Sequence, residues 1–105
     1  MNDWHNKGFF LYEQGKYEEA VICYDKAIGL NPQFVDAWID KGNALDDLGK
    51  NSEAIQCYDI AIEINPKYAD VFLNKGIALA RVGCDADADA AFAKAKELEA
   101  TASNS

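Results

Sequence analysis

The strongest constraint on this chain is an internal repeat, because the sequence matches itself when it is shifted by 34 residues. The matching triples are Trp4/Trp38/Phe72, Gly8/Gly42/Gly76, Leu11/Leu45/Leu79, Gly15/Gly49/Gly83, Ala20/Ala54/Ala88, Tyr24/Tyr58/Phe92 and Ala27/Ala61/Ala95. Pro32 and Pro66 also match each other, whereas the third copy has Ala100 at this position. Self-similarity at a fixed period predicts a stack of small structural units.

Each copy has the pattern of a helical hairpin. Apolar or small residues fall three or four apart over residues 4–13 and again over 17–30, which is the spacing of one helix face. Gly15 permits a tight turn between these two stretches. Pro32 ends the second stretch because it lacks a backbone donor. The three copies together predict helices near residues 3–14, 17–30, 36–48, 51–64, 70–82 and 85–99.

The small residues of the repeat have a predicted packing role. We expect Gly8 and Ala20 to let the two helices of a hairpin approach closely, with Trp4 and Tyr24 filling the space beside them. One hairpin cannot bury both of its faces, so the three copies are expected to stack.

The pattern resembles the tetratricopeptide repeat (TPR) over essentially the whole chain apart from the last few residues. The residues that carry the resemblance are Trp4, Gly8, Leu11, Ala20, Tyr24, Ala27 and Pro32, with their counterparts in the later copies. The departures are Lys7, Lys41 and Lys75 where a leucine is usual, Phe72 in place of Trp, and the missing third proline. The Trp-x-x-Lys-Gly sequence is similar to repeats common in prokaryotic, including archaeal, members.

The resemblance implies an all-α fold, a right-handed superhelix of six antiparallel helices. Its three helix-turn-helix repeats would cover residues 1–34, 35–68 and 69–100. We expect a disordered tail at residues 101–105, which are rich in Ser, Asn and Thr.

Charge and composition limit the possible partners. Ten Lys and Arg residues against 18 Asp and Glu residues give a net charge of -8, which disfavours nucleic acid and anionic membrane surfaces. No apolar run is long enough to span a bilayer, and the first residues lack an export signal. Three cysteines without a CxxC pair fit a reducing compartment, so we expect a cytoplasmic protein.

The segment WIDKGNALDDLGK, which begins at Trp38, has the glycines and the Gly-Lys dipeptide of a phosphate-binding loop. Such a loop needs four residues between its glycines and a Ser or Thr after the lysine. Here six residues separate Gly42 from Gly49, and Asn51 follows Lys50. We therefore interpret the segment as one helix and its turn, with Lys50 at the surface.

An acidic segment near the third turn resembles the start of a calcium loop. Asp85, Asp87 and Asp89 have the right spacing, but Ala90 and Lys96 stand where such a loop needs Gly and a bidentate Glu. We interpret these acids as the start of the last helix, where the helix dipole favours negative charge.

The sequence indicates neither a metal site nor a catalytic group. Cys23 and Cys57 occupy equivalent positions in successive copies, and His5 is the only histidine. A zinc site needs more Cys or His ligands, and no nucleophile pair is evident. The predictions are packing roles for these two cysteines, no metal, no cofactor and no enzymatic activity.

The resemblance implies that the first helix of each hairpin lines a concave groove that holds an extended peptide or a partner's helix. If Trp4, Gly8 and Leu11 face the stack, an opposite stripe faces the groove. This stripe comprises Asn2, His5, Asn6, Phe9, Tyr12 and Glu13, then Asp36, Ile39, Asp40, Asn43, Asp46 and Asp47, then Asp70, Leu73, Asn74, Ile77, Ala80 and Arg81. It contains six acids and one arginine, which predicts a groove of negative potential.

From this stripe we select candidate residues for binding a peptide. They are His5, Asn6, Phe9, Tyr12, Glu13, Asp36, Ile39, Asp40, Asn43, Asp47, Asp70, Asn74, Ile77 and Arg81. The partner would be a protein or peptide with a basic or amide-rich extended segment. Asp36, Asp40 and Asp70 would supply charge. Asn43 and Asn74 would bond to the peptide backbone, and Phe9 and Tyr12 would pack on apolar stems. An alternative is that the acids only keep the protein soluble.

Some members of the resembled family bind the C-terminal carboxylates of chaperones through a clamp. The lysines and asparagines of that clamp would fall at His5, Phe9, Asp40 and Asp70, and its arginine at Asn74. Asp40 and Asp70 reverse the charge, so we predict no binding of chaperone tails.

A second hypothesis is a structural spacer or a self-associating unit. The third copy has Asp89 where Val21 and Ile55 stand, and Lys96 where Ile28 and Ile62 stand. Charges at these stacking positions are typical of the end of a stack. This hypothesis predicts a monomer or a weak homo-oligomer formed through the exposed end repeats.

Overall fold

The structure, a computed structural model, describes residues 3–103 and forms six α-helices within that range. The helices are α1 (Asp3–Glu13), α2 (Tyr17–Leu30), α3 (Val35–Asp47), α4 (Asn51–Ile64), α5 (Ala69–Arg81) and α6 (Asp85–Ser103). They form three hairpins, which confirms the predicted all-α helical repeat. The groove candidate Asn2 lies outside the described residues.

The last helix is longer than the sequence predicts. We expected it to end near residue 99 and a disordered tail to begin at residue 101, but α6 continues to Ser103. Thr101 Oγ1 donates a hydrogen bond to the Glu97 carbonyl oxygen at 2.9 Å. The prediction of disorder was wrong for residues 101–103, since the third copy lacks the proline that ends α2 and α4. Residues 104 and 105 lie outside the described residues.

The turn inside each hairpin depends on one glycine. Gly15, Gly49 and Gly83 have φ values of 79°, 82° and 85°, a left-handed conformation that other residues rarely adopt. At the first turn the Lys16 amide bonds to the Leu11 carbonyl at 3.0 Å, and the other two turns repeat this bond at 2.9 Å. This is the Schellman pattern, which satisfies the last carbonyls of the first helix.

A glycine in the first helix of each hairpin allows an aromatic ring of the second helix to pack against the backbone. A Cβ atom built on Gly8 would lie 2.6 Å from the Tyr24 ring, and one on Gly42 would lie 2.5 Å from the Tyr58 ring. Gly76 has the same relation to Phe92, again at 2.5 Å. The predicted close approach at Gly8 is thus confirmed and recurs in every hairpin.

Trp4 was expected to share the interior with Tyr24. It is only half-buried, and Lys26 Nζ lies 4.5 Å from its ring centroid. Trp38 is also half-buried, and its Nε1 donates to the Pro32 carbonyl at 2.9 Å. This bond ties α3 to the turn between the first and second hairpins.

Ion pairs join each hairpin to the next. Lys41 bonds to Asp25 and Lys75 bonds to Asp59, both at 2.6 Å. These lysines are the residues that depart from the usual leucine of the family pattern, so here that position joins α3 to α2 and α5 to α4. On α6, Asp89, which stands where Val21 and Ile55 stand in the earlier copies, is exposed.

Candidate functional site

The first helices of the hairpins, α1, α3 and α5, lie side by side and form one face of the molecule, which we call the groove face. Two clefts on this face contain twelve of the fourteen candidate residues. The N-terminal cleft is lined by His5, Asn6, Phe9, Asp36, Ile39, Asp40 and Tyr68. The central cleft is lined by Tyr12, Asn43, Asp46, Asp47, Tyr58, Asn74, Ile77 and Arg81. Of the other two candidates, Asp70 lines a neighbouring cleft with Tyr68, and Glu13 is exposed at the end of α1.

The N-terminal cleft has a volume of about 540 Å³ and combines aromatic walls with carboxylates. Phe9 is 47 % exposed, Ile39 is buried beneath the surface, and Tyr68 is half-buried. Asp36 is exposed at the edge of the cleft. The cleft therefore offers apolar contact and negative charge to the same ligand.

One carboxylate of this cleft is already engaged within the chain. His5 Nε2 lies 2.6 Å from Asp40 Oδ2, a contact that joins α1 to α3. The His5 ring also packs against Phe34, with 4.9 Å between the ring centroids. Burial raises the pKa of Asp40, the hydrogen bond and charge of His5 lower it, and the Asp36 charge raises it. Asp40 thus links two hairpins in addition to lining the cleft.

The central cleft, of about 260 Å³, is a network of polar side chains. Tyr58 Oη donates to Asn43 Oδ1 at 2.6 Å, and Asn74 Nδ2 donates to the same oxygen at 3.3 Å. These bonds join α4 and α5 to the middle of α3. They leave the Asn43 amide nitrogen and the Asn74 oxygen for other partners.

The acids of the central cleft are also engaged. Tyr12 Oη donates to Asp47 Oδ2 at 2.5 Å. Asp46 accepts hydrogen bonds from Arg81 and Asn51 and is only 9 % exposed. Asp46 was predicted as a groove acid, but its buried carboxylate serves the packing of α3, α4 and α5.

Three of these contacts share one sequence separation. His5–Asp40, Tyr12–Asp47 and Asp46–Arg81 each span 35 residues, one more than the repeat period. They join the first helix of one hairpin to the first helix of the next. Half of the six acids in the predicted groove stripe therefore have partners inside the protein.

Glu13, Asp36 and Asp70 remain exposed on the groove face. Within residues 3–103, no side-chain ion pair joins any of these three acids. Arg81, the one arginine of the stripe, has its charge opposed by Asp46. Lys67, which is also exposed, lines the same neighbouring cleft as Asp70.

The hydroxyl of Tyr24 lacks the partner that Tyr58 has. Tyr24 is fully buried, and its Oη has no hydrogen-bond partner among the described residues. Burial raises the pKa of Tyr24, and the Asp40 charge raises it further. Phe9 stands one period before Asn43, so the first hairpin has a phenyl ring where the second has the accepting amide.

Two tyrosines of the clefts were missed by the sequence reasoning. Tyr58 was assigned only to packing, whereas its hydroxyl reaches the central cleft. Tyr68 precedes α5 and therefore lies outside the helical periodicity that indicates the other groove residues. Burial raises the pKa of Tyr68, and the charges of Asp36, Asp70 and Asp40 raise it further. A signal for Tyr68 existed, because Phe34 is its equivalent one period earlier.

The cysteines and the acidic start of α6 have the predicted structural roles. Cys23 and Cys57 are buried, and burial raises the pKa of the Cys57 thiol to about 11. Asp85 and Asp87 lie in the first turn of α6. Over residues 3–103, no group of three or more His, Cys, Asp or Glu side chains could hold a metal ion. In the same range, none of the helices is long and apolar enough to cross a bilayer.

Comparison with known proteins places this geometry in a family. The profile of the TPR repeat matches residues 10–46 and 42–83. The crystal structure of MamA superposes with a TM-score of 0.94 and 25 % sequence identity, over 97 % of this chain and 60 % of MamA. This chain therefore spans less than two thirds of that relative. No curated protein sequence matches significantly.

A second relative was solved with a ligand. The first TPR of Spaghetti (RPAP3), bound to the HSP90 peptide SRMEEVD, superposes with a TM-score of 0.89 and 26 % identity, over 91 % of this chain and 76 % of that one. The NMR structure of the first TPR domain of human RPAP3 gives the same values. The profile match covers more than half of the sequence, and the repeat geometry agrees with it. The chain belongs to the TPR repeat family.

Proposed function

We propose that this chain is a non-catalytic interaction module that binds an extended segment of a partner protein across the groove face. The observation that carries the proposal is the pair of clefts formed by α1, α3 and α5, which leaves Phe9 and Ile77 exposed beside hydrogen-bonding amides. The RPAP3 relative, which is bound to a peptide, supports the same use of the fold.

The charge of the groove face favours a basic or amide-rich segment. The peptide bound to RPAP3 ends in acidic residues, whereas Glu13, Asp36 and Asp70 are exposed acids here. A terminal carboxylate would meet Asp40 and Asp70 where a chaperone-binding clamp has cationic or amide side chains, and like charges across an interface oppose binding. Cationic side chains would instead be attracted.

Asn43 and Asn74 suit the backbone of an extended segment. Their amides lie 3.3 Å apart in the middle of the groove face, and each retains a donor or acceptor. An extended strand presents alternating N–H and C=O groups, so these two side chains can bond to it whatever its sequence is.

Peptide titration tests the proposal. One labelled peptide is rich in Arg and Gln, and a second of equal length is rich in Asp and Glu; both are titrated by fluorescence anisotropy at low and high salt. We expect the basic peptide to bind more tightly, and the difference to shrink at high salt because ions screen exposed charges.

A charge-matched pair of variants sharpens this test. Asp36→Lys plus Asp70→Lys should abolish the preference for the basic peptide. Asp85→Lys plus Asp89→Lys changes the net charge equally on α6 and should leave the preference in place. Equal binding of both peptides would remove the charge argument, and absence of binding on the groove face would remove the proposed function.

Self-association is a second candidate, favoured by one observation. The first hairpin exposes Phe10, Ile22 and Leu30, which are 62 %, 56 % and 72 % exposed. Phe10 stands one period before Ala44, which is fully buried against Ala20 and Tyr24 of the preceding hairpin. Sedimentation at several concentrations would support this candidate if an oligomer forms and Phe10→Ser dissociates it; a monomer throughout would argue against it.

A head-to-tail contact that copies the internal stacking is not favoured. Val21 and Ile55 pack on the following hairpin, whereas their counterpart on α6 is Asp89, which is exposed. Such a contact would bury Asp89 without the compensation of an identified partner, and burial of an unpaired charge is costly.

A further inference from the structure

We infer that the N-terminal cleft is an arginine pocket, which takes one arginine side chain of the bound segment. This inference rests on the proposed function and names the side chain that the cleft selects. It is carried by three features that meet in the cleft: aromatic walls, the exposed carboxylate of Asp36 without an ion pair in residues 3–103, and a suitable volume.

The walls suit a flat cation with an apolar stem. Phe9 lines the cleft from α1, Tyr68 lines it from the residue before α5, and Ile39 lines it from α3. The aliphatic part of an arginine can pack on Ile39 while its planar guanidinium stacks on an aromatic face. Phe9 is 47 % exposed, so its ring is accessible to such a ligand.

The carboxylates supply the countercharge. Asp36 lines the cleft, is exposed, and forms no ion pair within residues 3–103. Asp70 lies beside Tyr68 in the neighbouring cleft. A guanidinium offers several donors in a fixed plane, so it can stack on a ring and pair with a carboxylate at once.

The central cleft shows how this face accommodates an arginine. There Arg81, from α5, pairs with Asp46 of the preceding hairpin beside Tyr58 and Tyr12. The N-terminal cleft offers aromatic side chains and carboxylates without an arginine of its own. Its volume of about 540 Å³ lies within the ~300–1,000 Å³ typical of ligand pockets.

Other side chains fit less well. An acidic side chain would be repelled by Asp36 and Asp40. A purely apolar side chain would desolvate these carboxylates without pairing them. Lysine would bring the charge, but its ammonium is strongly hydrated and lacks the planar surface that stacks on an aromatic ring.

Four peptides test the inference. They share a short sequence of Gly, Asn and Ser, and the central residue is arginine, lysine, citrulline or norleucine; citrulline keeps the planar shape of arginine without its charge. Binding is followed by NMR amide shifts at low salt. We expect the arginine peptide to bind about three- to tenfold more tightly than each of the others.

Variants distinguish the contribution of the Asp36 carboxylate from that of the Phe9 ring. Asp36→Asn should weaken the arginine peptide about three- to tenfold and leave the citrulline peptide unchanged, whereas Asp85→Asn, with the same change of net charge, should alter neither. Phe9→Leu keeps an apolar wall without the ring and should reduce the preference for arginine over lysine.

The outcomes distinguish this inference from the proposed function. If all four peptides bind the groove face equally, or if Asp36→Asn leaves the arginine peptide unaffected, the arginine pocket is overturned and the interaction module stands. If none of the peptides shifts amides of α1, α3 or α5, both proposals are overturned.

Discussion

The first and second hairpins share the packing of a tyrosine ring on a glycine, but they differ in what the tyrosine hydroxyl meets at the groove face. In both, a tyrosine ring of the second helix packs against a glycine of the first, at almost the same distance. In the second hairpin the tyrosine hydroxyl donates to Asn43. In the first hairpin Phe9 occupies the position of Asn43, and the Tyr24 hydroxyl has no partner among the described residues.

The two halves of the groove face therefore differ in how they treat the tyrosine hydroxyl and in what they offer a ligand. In the central half the tyrosine hydroxyl has a partner within the protein, and the cleft there has a more polar lining. In the first half a buried donor has no partner within residues 3–103, which is normally destabilising by about 1–3 kcal/mol, and an exposed phenyl ring is presented instead. Under the proposed function, this local departure from the best internal arrangement belongs to the binding site.

The largest expected change in stability comes from the close packing of a glycine on an aromatic ring, which all three hairpins share. Gly42→Ala would place a Cβ 2.5 Å from the buried Tyr58 ring, and Gly8→Ala would place one 2.6 Å from Tyr24. We expect each to lower the free energy of unfolding by about 2–3 kcal/mol in urea denaturation. Gly29→Ala is the control, because nothing lies within 4 Å of its added Cβ; it should stabilise α2 by about 0.5–1 kcal/mol. A loss at Gly42 as small as that of a surface substitution would refute the close packing.

The next largest change in stability distinguishes the second hairpin from the first. Tyr58→Phe removes the hydrogen bond to Asn43 and should lower the free energy of unfolding by about 1 kcal/mol. Tyr24→Phe removes a buried hydroxyl that has no partner in the described part of the chain, and should be neutral or stabilising. Both are measured by urea denaturation. Equal losses for the two variants would mean that Tyr24 finds a partner in solution.

A smaller change in stability is expected when the first hairpin is given the amide that it lacks. Phe9→Asn transfers the accepting side chain of the second hairpin, so it should couple favourably to the Tyr24 hydroxyl. A double-mutant cycle with Phe9→Asn and Tyr24→Phe should give a coupling free energy of about 1 kcal/mol. The cost of losing the apolar contacts of Phe9 is the same with Tyr24 or Phe at position 24, so it drops out of this coupling free energy. A coupling near zero would show that position 9 does not reach the hydroxyl.

The smallest effect is the pH dependence at Asp40. Burial raises the pKa of this carboxyl in the folded protein, so its contribution to stability is fully present below the ordinary pKa of about 3.9 and is lost as pH rises through the raised value. Asp40→Asn does not titrate, so the free energy of unfolding of this variant should increase relative to that of wild type as pH rises above the ordinary pKa of an aspartate. A gap that is constant or narrows with pH would contradict the raised pKa.

The repeated residues made most of the fold predictable from the sequence. Gly8, Gly42 and Gly76 recur at one position, as do the three turn glycines, and a recurring small residue beside a recurring aromatic indicates close packing. The helix ends that are set by Gly or Pro were therefore predicted to within about one residue. Only the end of α6, which neither residue determines, was missed.

The site was less predictable, for a physical reason. Helical periodicity tells which side chains share a face, but pairing depends on the offset between neighbouring helices. Here that offset joins residues 35 apart, so Asp40 meets His5 and Asp46 meets Arg81. Tyr68 was missed because it lies in a turn, where no helical period applies.

The most direct test of the central claim is where a ligand binds. An extended peptide of Arg and Asn residues with a paramagnetic label at one end should broaden amide signals of α1, α3 and α5 around the two clefts. The broadening should disappear with Asp36→Lys plus Asp70→Lys. Broadening confined to the opposite face, on α2, α4 and α6, would contradict recognition on the groove face.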